Sequence, residues 1–154
     1  MAHDHKDWFN NIKCSKGVPH SGHPFLFSYE RIMVKVKSIY EKPSSADGER
    51  IYIDRLWADG AFTEFVKIAD WRQDLAPSYD LWRFGFDPGH WEDYVRRYRE
   101  ELQAADKQEA LRELAQKAAA GTVTLVYGNG DAQHNNALVL QSVLEEMSQM
   151  KKAA

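Results

Sequence analysis

The chain has 154 residues, of which 44% are hydrophobic and 28% are charged, so its composition excludes global disorder and its length suits one domain. It has 20 basic and 23 acidic residues and a net charge of −3, which excludes a general attraction to nucleic acid or to an anionic membrane. One cysteine excludes an internal disulfide, and we expect a cytoplasmic globular domain with no nucleic-acid or membrane partner.

The first 32 residues show neither the period of a helix nor that of a strand. They hold four of the six histidines, and they lack the apolar run that is typical of a signal peptide. Cys14, His20 and His23 are residue types that bind zinc, but their spacing matches no zinc motif. We therefore predict no metal site in this segment.

Patterned sequence begins at Met33. We expect residues 1–32 to be a poorly structured extension, either a native arm or the product of an upstream start. Residues 33–150 are then one α/β domain, and residues 151–154 are a tail. The extension carries an apolar cluster that could pack on the domain or on a partner chain, formed by Phe25, Leu26, Phe27 and Tyr29.

The sequence of the first half of the domain predicts two strands. Alternating valine and lysine predict a strand over residues 33–40, with one face wetter than the other. A turn rich in Pro, Ser, Asp and Gly follows over residues 43–48. The β-branched and aromatic residues 50–56 predict a second strand that is buried on both faces. Residues 61–75 fit neither period.

Capping signals predict the next three helices. Ser78 is placed to cap a short helix that runs through Phe84. The dipeptide 87–88 predicts a helix start, with Asp as the cap and Pro in the first turn, and the apolar spacing from 91 to 102 predicts an amphipathic helix. Asp106 and Glu109 resemble a capping box for a helix that ends at Gly121.

The end of the domain predicts a strand over residues 122–127, a polar loop over 128–133 and a final helix that starts at about Ala132 or His134 and reaches Met147. The last strand is reached through helices rather than through a hairpin, which favours parallel pairing. We therefore predict an α/β layered fold with a small, mostly parallel sheet flanked by helices.

Ligands of open parallel sheets bind at the carboxyl ends of the strands. Two predicted strand ends carry polar groups that could form such a site. The candidate residues are Asp54 and Arg55 after the second strand, and Gly128, Asn129, Gly130, Asp131, His134 and Asn135 after the last strand.

These residues suggest a site for a small polar or anionic metabolite. The guanidinium of Arg55 and the backbone N–H groups of the glycine-containing loop would hold an anion. His134 would act as general base, with Asp54 or Asp131 as the carboxylate that orients it. The alternative is structural: Asp131 caps a helix, His134 bonds a backbone carbonyl, and Asp54 pairs with an arginine or caps backbone N–H groups.

Aromatic residues are dense between Trp57 and Trp91, where four of the five tryptophans lie. Such density is typical of a hydrophobic core, and the alternative is that some of these rings stack against a ligand. The arginines of residues 96–99 have acidic neighbours, which favours a solvated helix face over a phosphate contact.

Several stretches, taken in their order and spacing, resemble the YeaO-like proteins, which carry domain of unknown function 488. They are 34–40, Ile53-Asp54-Arg55-Leu56-Trp57, Trp71 with Leu75-Ala76-Pro77-Ser78, Phe86-Asp87-Pro88 with Trp91 and 98–102, and 123–127 through His134-Asn135-Asn136-Ala137. The resemblance implies a small bacterial or archaeal cytoplasmic α/β protein, and it supplies no reaction, cofactor or catalytic residue.

The chain departs from that family's pattern in one segment. The family usually reads Leu-Trp-Pro-Arg-Gly, whereas this chain has Ala58 and Asp59 in place of Pro-Arg, and a lysine usual soon afterwards is replaced near Thr63-Glu64. If the family pocket uses those basic residues for an anion, this chain has lost part of it.

Three functions remain open on sequence grounds. The first is an enzyme-like pocket at the strand ends, with no cofactor predicted. The second is a non-catalytic ligand-binding or regulatory module that uses the same residues. The third is a protein-interaction domain, which exposed and contiguous aromatics between residues 57 and 91 would favour. A homo-oligomer is compatible with all three.

Overall fold

The computed structural model describes residues 32–85 and 88–153. Within these ranges four parallel strands form one sheet in the order β1-β4-β2-β3. The strands are β1 (Val34–Ser38), β2 (Glu49–Tyr52), β3 (Asp70–Trp71) and β4 (Val123–Tyr127). The α-helices are α1 (Thr63–Val66), α2 (Tyr79–Phe84), α3 (Trp91–Leu102), α4 (Gln108–Ala120) and α5 (Asn136–Ala153). The predicted α/β layered fold with a parallel sheet is confirmed.

The sheet buries different residues on its two faces, because successive side chains of a strand point in opposite directions. One face carries Ile51 and Leu125, which pack in the main core with α3, α4 and α5. The opposite face carries Tyr52 and Val126, which pack under Val66 and neighbouring residues of the segment between β2 and β3. Helices therefore cover one face, and a loop with one short helix covers the other.

Two capping predictions had different outcomes. The Ser78 hydroxyl accepts a hydrogen bond from the Leu81 amide at 3.3 Å, which confirms it as the cap of α2. The capping box expected at Asp106 and Glu109 is wrong, because a 3-10 turn occupies Ala105–Lys107 and α4 has no side-chain cap. The expected cap at Asp87 lies outside the described residues.

The structure moves some predicted boundaries and resolves one stretch for which no element was predicted. The second strand ends at Tyr52 rather than at residue 56, so the residues after it are free to leave the plane of the sheet. The stretch 61–75, which showed no clear period, holds both α1 and the two-residue strand β3. The last helix starts later than expected, at Asn136.

A buried ion pair connects the turn before β2 to the first residues of β2. Asp47 and Arg50 are 2% and 3% exposed, and their side chains are 2.7 Å apart. The Lys37 ammonium lies 2.8 Å from the same carboxylate. Burial alone would raise the pKa of Asp47, but hydrogen bonds from Lys37, from the Ser44 amide and from Arg50 outweigh it and hold the pKa at about 2.

This ion pair predicts a specific acid sensitivity. The folded pKa of Asp47 lies below its ordinary value of 3.8, so its contribution to stability is complete above about pH 4 and is lost as the pH falls through about 2. We expect Asp47→Asn to lower the free energy of unfolding at pH 7 by about 2 kcal/mol, and to remove that part of the pH dependence below pH 4. Urea unfolding at a series of pH values measures both effects. Asp59→Asn, at an exposed position, is the control, and equal pH slopes for wild type and Asp47→Asn would refute the assignment.

Candidate ligand site at the carboxyl ends of the strands

The site lies where β2 and β4 end side by side, and we call it the carboxyl rim: residues 53–57 and 128–135. Asp54 follows β2 and is only 1% exposed. Its Oδ2 accepts hydrogen bonds from the amides of Gly128 at 3.2 Å and Asn129 at 3.0 Å. Its Oδ1 accepts one from the Arg55 amide at 2.8 Å. The carboxylate of Asp54 thus binds the backbone N–H groups that the sequence assigned to a ligand.

Burial dominates the electrostatics of this carboxylate. It raises the pKa of Asp54, and the amide donors of Arg55, Asn129 and Gly128 act in the opposite direction without reversing the shift. A buried charge is tolerated in proteins only where several donors surround it. Three convergent amides meet that requirement. The hydrogen bond from Gly128 also connects two segments that are 74 residues apart in sequence.

The Arg55 guanidinium is directed to backbone carbonyl groups. Its Nε donates to the Pro77 carbonyl at 2.9 Å, and its Nη2 donates to the Ala76 carbonyl at 3.1 Å. These bonds hold the turn that precedes α2, and the side chain is partly buried. The hydrogen bond between Arg55 and the Asp54 carboxylate is therefore made by the Arg55 backbone amide, and the guanidinium is used elsewhere.

Asp131 organises the turn before α5. Its Oδ1 accepts from the amides of Gln133 at 2.7 Å and His134 at 2.8 Å. The His134 Nδ1 lies 3.1 and 3.2 Å from the two carboxylate oxygens. Hydrogen bonds from the Gln133 amide and from His134 lower the pKa of Asp131. The pair therefore has the geometry in which a carboxylate orients an imidazole. The His134 and Trp91 rings also pack edge to face, 5.1 Å apart between centroids.

Asn135 immediately precedes the last helix. Its Oδ1 accepts from the Leu138 amide at 3.0 Å, and its Nδ2 donates to the Asp131 carbonyl at 2.8 Å. The side chain is fully buried. Asn135 therefore caps α5, and both the oxygen and the nitrogen of its side-chain amide have hydrogen-bond partners.

Two glycines make this loop possible. A Cβ at Gly128 would overlap the Tyr52 hydroxyl, which donates to the Leu56 carbonyl at 2.6 Å. Gly130 has a φ of +102°, and a Cβ there would overlap the His134 carbonyl oxygen. Both positions require glycine for local packing and conformation.

Two residues that contact the rim were not among the candidate site residues. Asn136 is fully buried and its Nδ2 donates to the Ile53 carbonyl at 2.7 Å, which ties α5 to the end of β2. The Trp71 indole donates to the Asp54 carbonyl at 2.8 Å. The only available signal was their presence in the stretches that resemble the YeaO-like proteins, because partners so distant in sequence leave no local pattern.

The rim therefore has two parts. Asp54 directly contacts Arg55, Gly128 and Asn129, and a separate set of bonds joins Asp131, His134 and Asn135. Within the described residues, no three histidine, cysteine or acidic side chains converge as a metal-binding group. In the same part of the chain, no helix is long and apolar enough to cross a membrane.

Comparison with known proteins identifies the family. The family model described as "Inactive DUF488-N3 subclade" matches residues 33–154. The chain belongs to the DUF488-N3i family. It is 33% identical over 117 residues to the Escherichia coli K12 "Uncharacterized protein YeaO", covering 74% of this chain and 98% of YeaO. This confirms the resemblance seen in the sequence.

A second relative is an uncharacterized protein of Mycobacterium tuberculosis H37Rv. It is 31% identical over 113 residues, which cover 72% of this DUF488-N3i chain and 92% of the relative. No solved structure matches the chain at a significant level. The relatives thus show the family and its occurrence in bacteria.

The packing of Gly128 gives a testable prediction. We expect Gly128→Ala to lower the free energy of unfolding by about 2 kcal/mol or more, because the new methyl group overlaps the Tyr52 hydroxyl. Gly121→Ala is the matched control, since a Cβ there meets nothing within 4 Å. Chemical denaturation measures both variants.

A double-mutant cycle tests the cause of that loss. In a Tyr52→Phe background the hydroxyl is absent, so the cost of Gly128→Ala should become smaller. An unchanged cost in that background would show that the clash lies elsewhere.

Proposed function

We propose that this chain is a non-catalytic binding domain, and that its carboxyl rim is a structural joint rather than a substrate pocket. The main support is the Asp54 carboxylate, which occupies the Gly128 and Asn129 amides from inside the protein. The word "Inactive" in the description of the matching family adds to this support. The single cysteine and the balanced charge favour a cytoplasmic location as part of the same proposal.

The physical argument is one of competition for donors. An external anion that binds the Gly128 and Asn129 amides must displace Asp54 or share their N–H groups with it, and two negative groups at one pair of donors repel each other. Arg55 offers little compensation, because two of its nitrogens already bond the carbonyls of Ala76 and Pro77. A small anion therefore gains less here than at an open helix N-terminus.

Chemical rescue tests this proposal. Asp54→Ala removes the internal carboxylate and leaves three amides in part-buried hydrogen bonds without their acceptor, which should lower the free energy of unfolding by about 3 kcal/mol. Formate can then enter the vacated space and restore part of the loss. At a tenfold excess over its dissociation constant, the recovery should be about 1.4 kcal/mol.

The comparison uses sodium formate against sodium chloride at equal ionic strength. Wild type and Asp59→Ala, which deletes an exposed carboxylate, should respond to the two salts alike. The proposal fails if wild type gains stability specifically with formate or phosphate and Asp54→Ala loses that response, because the amides would then serve a ligand.

One observation favours a second candidate, an enzyme with His134 as general base. The Asp131 carboxylate contacts the His134 Nδ1, so Nε2 is the nitrogen that would take a proton from water or substrate. Hydrolysis of a panel of activated carboxylic and phosphate esters tests this candidate. Turnover that Asp59→Ala retains and that is lost in both His134→Ala and Asp131→Asn, with folding intact, would establish the enzyme, whereas the binding-domain proposal expects wild type to give no turnover above the rate without protein.

A further inference from the structure

A concave surface lies outside the rim, between the segment that follows β1 and the loop-covered face of the sheet. This surface, the β1 groove, has a volume of about 520 Å³ and runs between the segment after β1 and the segment around α1. Its walls are mostly apolar, with lysines among them. The residues that matter here are Tyr40, Lys42, Phe62, Phe65 and Lys67.

The aromatic side chains of the β1 groove are unusually exposed. Tyr40, Phe62 and Phe65 are 62%, 63% and 69% exposed. Contiguous exposed aromatics mark interaction surfaces more often than they mark solvent-facing positions of a monomer. The Phe62 and Phe65 rings contact each other edge to face at 6.3 Å between centroids, so they form one apolar surface.

This apolar surface is held in place before any partner arrives. The Tyr40 hydroxyl donates to the Asp59 carbonyl at 2.8 Å, which connects the two walls. Beneath the groove, Ile39 and Val66 are buried in the core of the loop-covered face. A fixed surface loses less conformational entropy on binding than a mobile one.

Two ammonium groups lie beside these aromatics. Lys42 and Lys67 are exposed, and among the described residues no carboxylate forms an ion pair with either side chain. Among the described residues that line the groove, the charged side chains are these two lysines. Two acidic residues nearby in sequence have other contacts: Glu41 accepts from the Ser38 amide and Glu64 from the Thr63 hydroxyl. The groove therefore combines an apolar floor with positive charge at its edges.

We propose that the β1 groove binds a segment of a partner protein that places a bulky apolar side chain between acidic residues. The apolar side chain lies against Phe62 and Phe65, and the carboxylates pair with Lys42 and Lys67. An extended segment fits this groove better than a small molecule does, because small ligands are bound with most of their surface enclosed and these walls are largely open. The proposal deepens the proposed function by naming the class of partner, and it uses none of the rim residues.

The probe is a capped nonapeptide with a leucine–phenylalanine pair flanked by glutamates. We expect it to cause saturable amide shift changes in the ¹⁵N-labelled full chain, concentrated at residues 40–42 and 60–67. Raising the salt concentration should weaken binding, because exposed charge pairs are screened. A peptide with lysine in place of each glutamate is the charge control and should bind at least tenfold more weakly.

Variants of the full chain test each part of the groove. Phe65→Ser should weaken binding about tenfold and Lys42→Glu about fivefold. Arg112→Glu makes the same charge change on an exposed face of α4 and should leave binding unchanged. Both groove positions are exposed, so folding is expected to survive, and thermal unfolding checks it.

Three results would overturn the proposal. The first is the absence of saturable binding, and the second is equal binding of the acidic and basic peptides. The third is binding that occurs only after Phe25→Ser and Phe27→Ser, since the chain's own extension would then be the occupant. None of these results changes the formate test at Asp54, so failure here and failure of the structural-joint proposal are distinguishable.

Discussion

The hydrogen bonds between the Asp54 carboxylate and the amides after β4 hold the carboxyl edge of the sheet together. β2 and β4 are adjacent and parallel, so their carboxyl ends meet, and the polar backbone of the following loops needs partners there. A single carboxylate supplies three acceptor contacts at this position. The glycine at 128 follows from the same arrangement, because the loop backbone passes directly against the Tyr52 hydroxyl.

The Asp54 contact and the residues that follow β2 together affect how this edge of the sheet could bind an external anion. The resemblance to the YeaO-like proteins leads to the expectation of Pro-Arg after β2, and this chain has Ala58 and Asp59 there. The arginine that the segment does have, Arg55, bonds backbone carbonyls. Because an internal carboxylate also holds the loop amides, this edge offers little to an external anion, and we propose that binding occurs at the β1 groove.

Local patterns predicted the parts of the fold that local physics determines. Alternation identified β1, helical spacing identified α3, and Ser78 was recognisable as a cap because its hydroxyl acts three residues away. β3 was missed because two residues carry no period, and its pairing with β2 is decided by the sheet. The capping box before α4 failed because the chain enters that helix through a 3-10 turn. For Asp54, the capping of backbone N–H groups was among the alternatives, but two of the three amides lie more than 70 residues away and could not be assigned.

Titration of Asp54 by NMR tests the central contact most directly. If its carboxylate is bonded to the loop, the ¹³Cγ of Asp54 and the amide protons of Gly128 and Asn129 should titrate together. Their shared midpoint should lie above the ordinary aspartate pKa, because burial raises the pKa of this carboxyl. Loop amides that do not respond as Asp54 titrates, or that shift instead when phosphate is added at constant pH, would contradict the account.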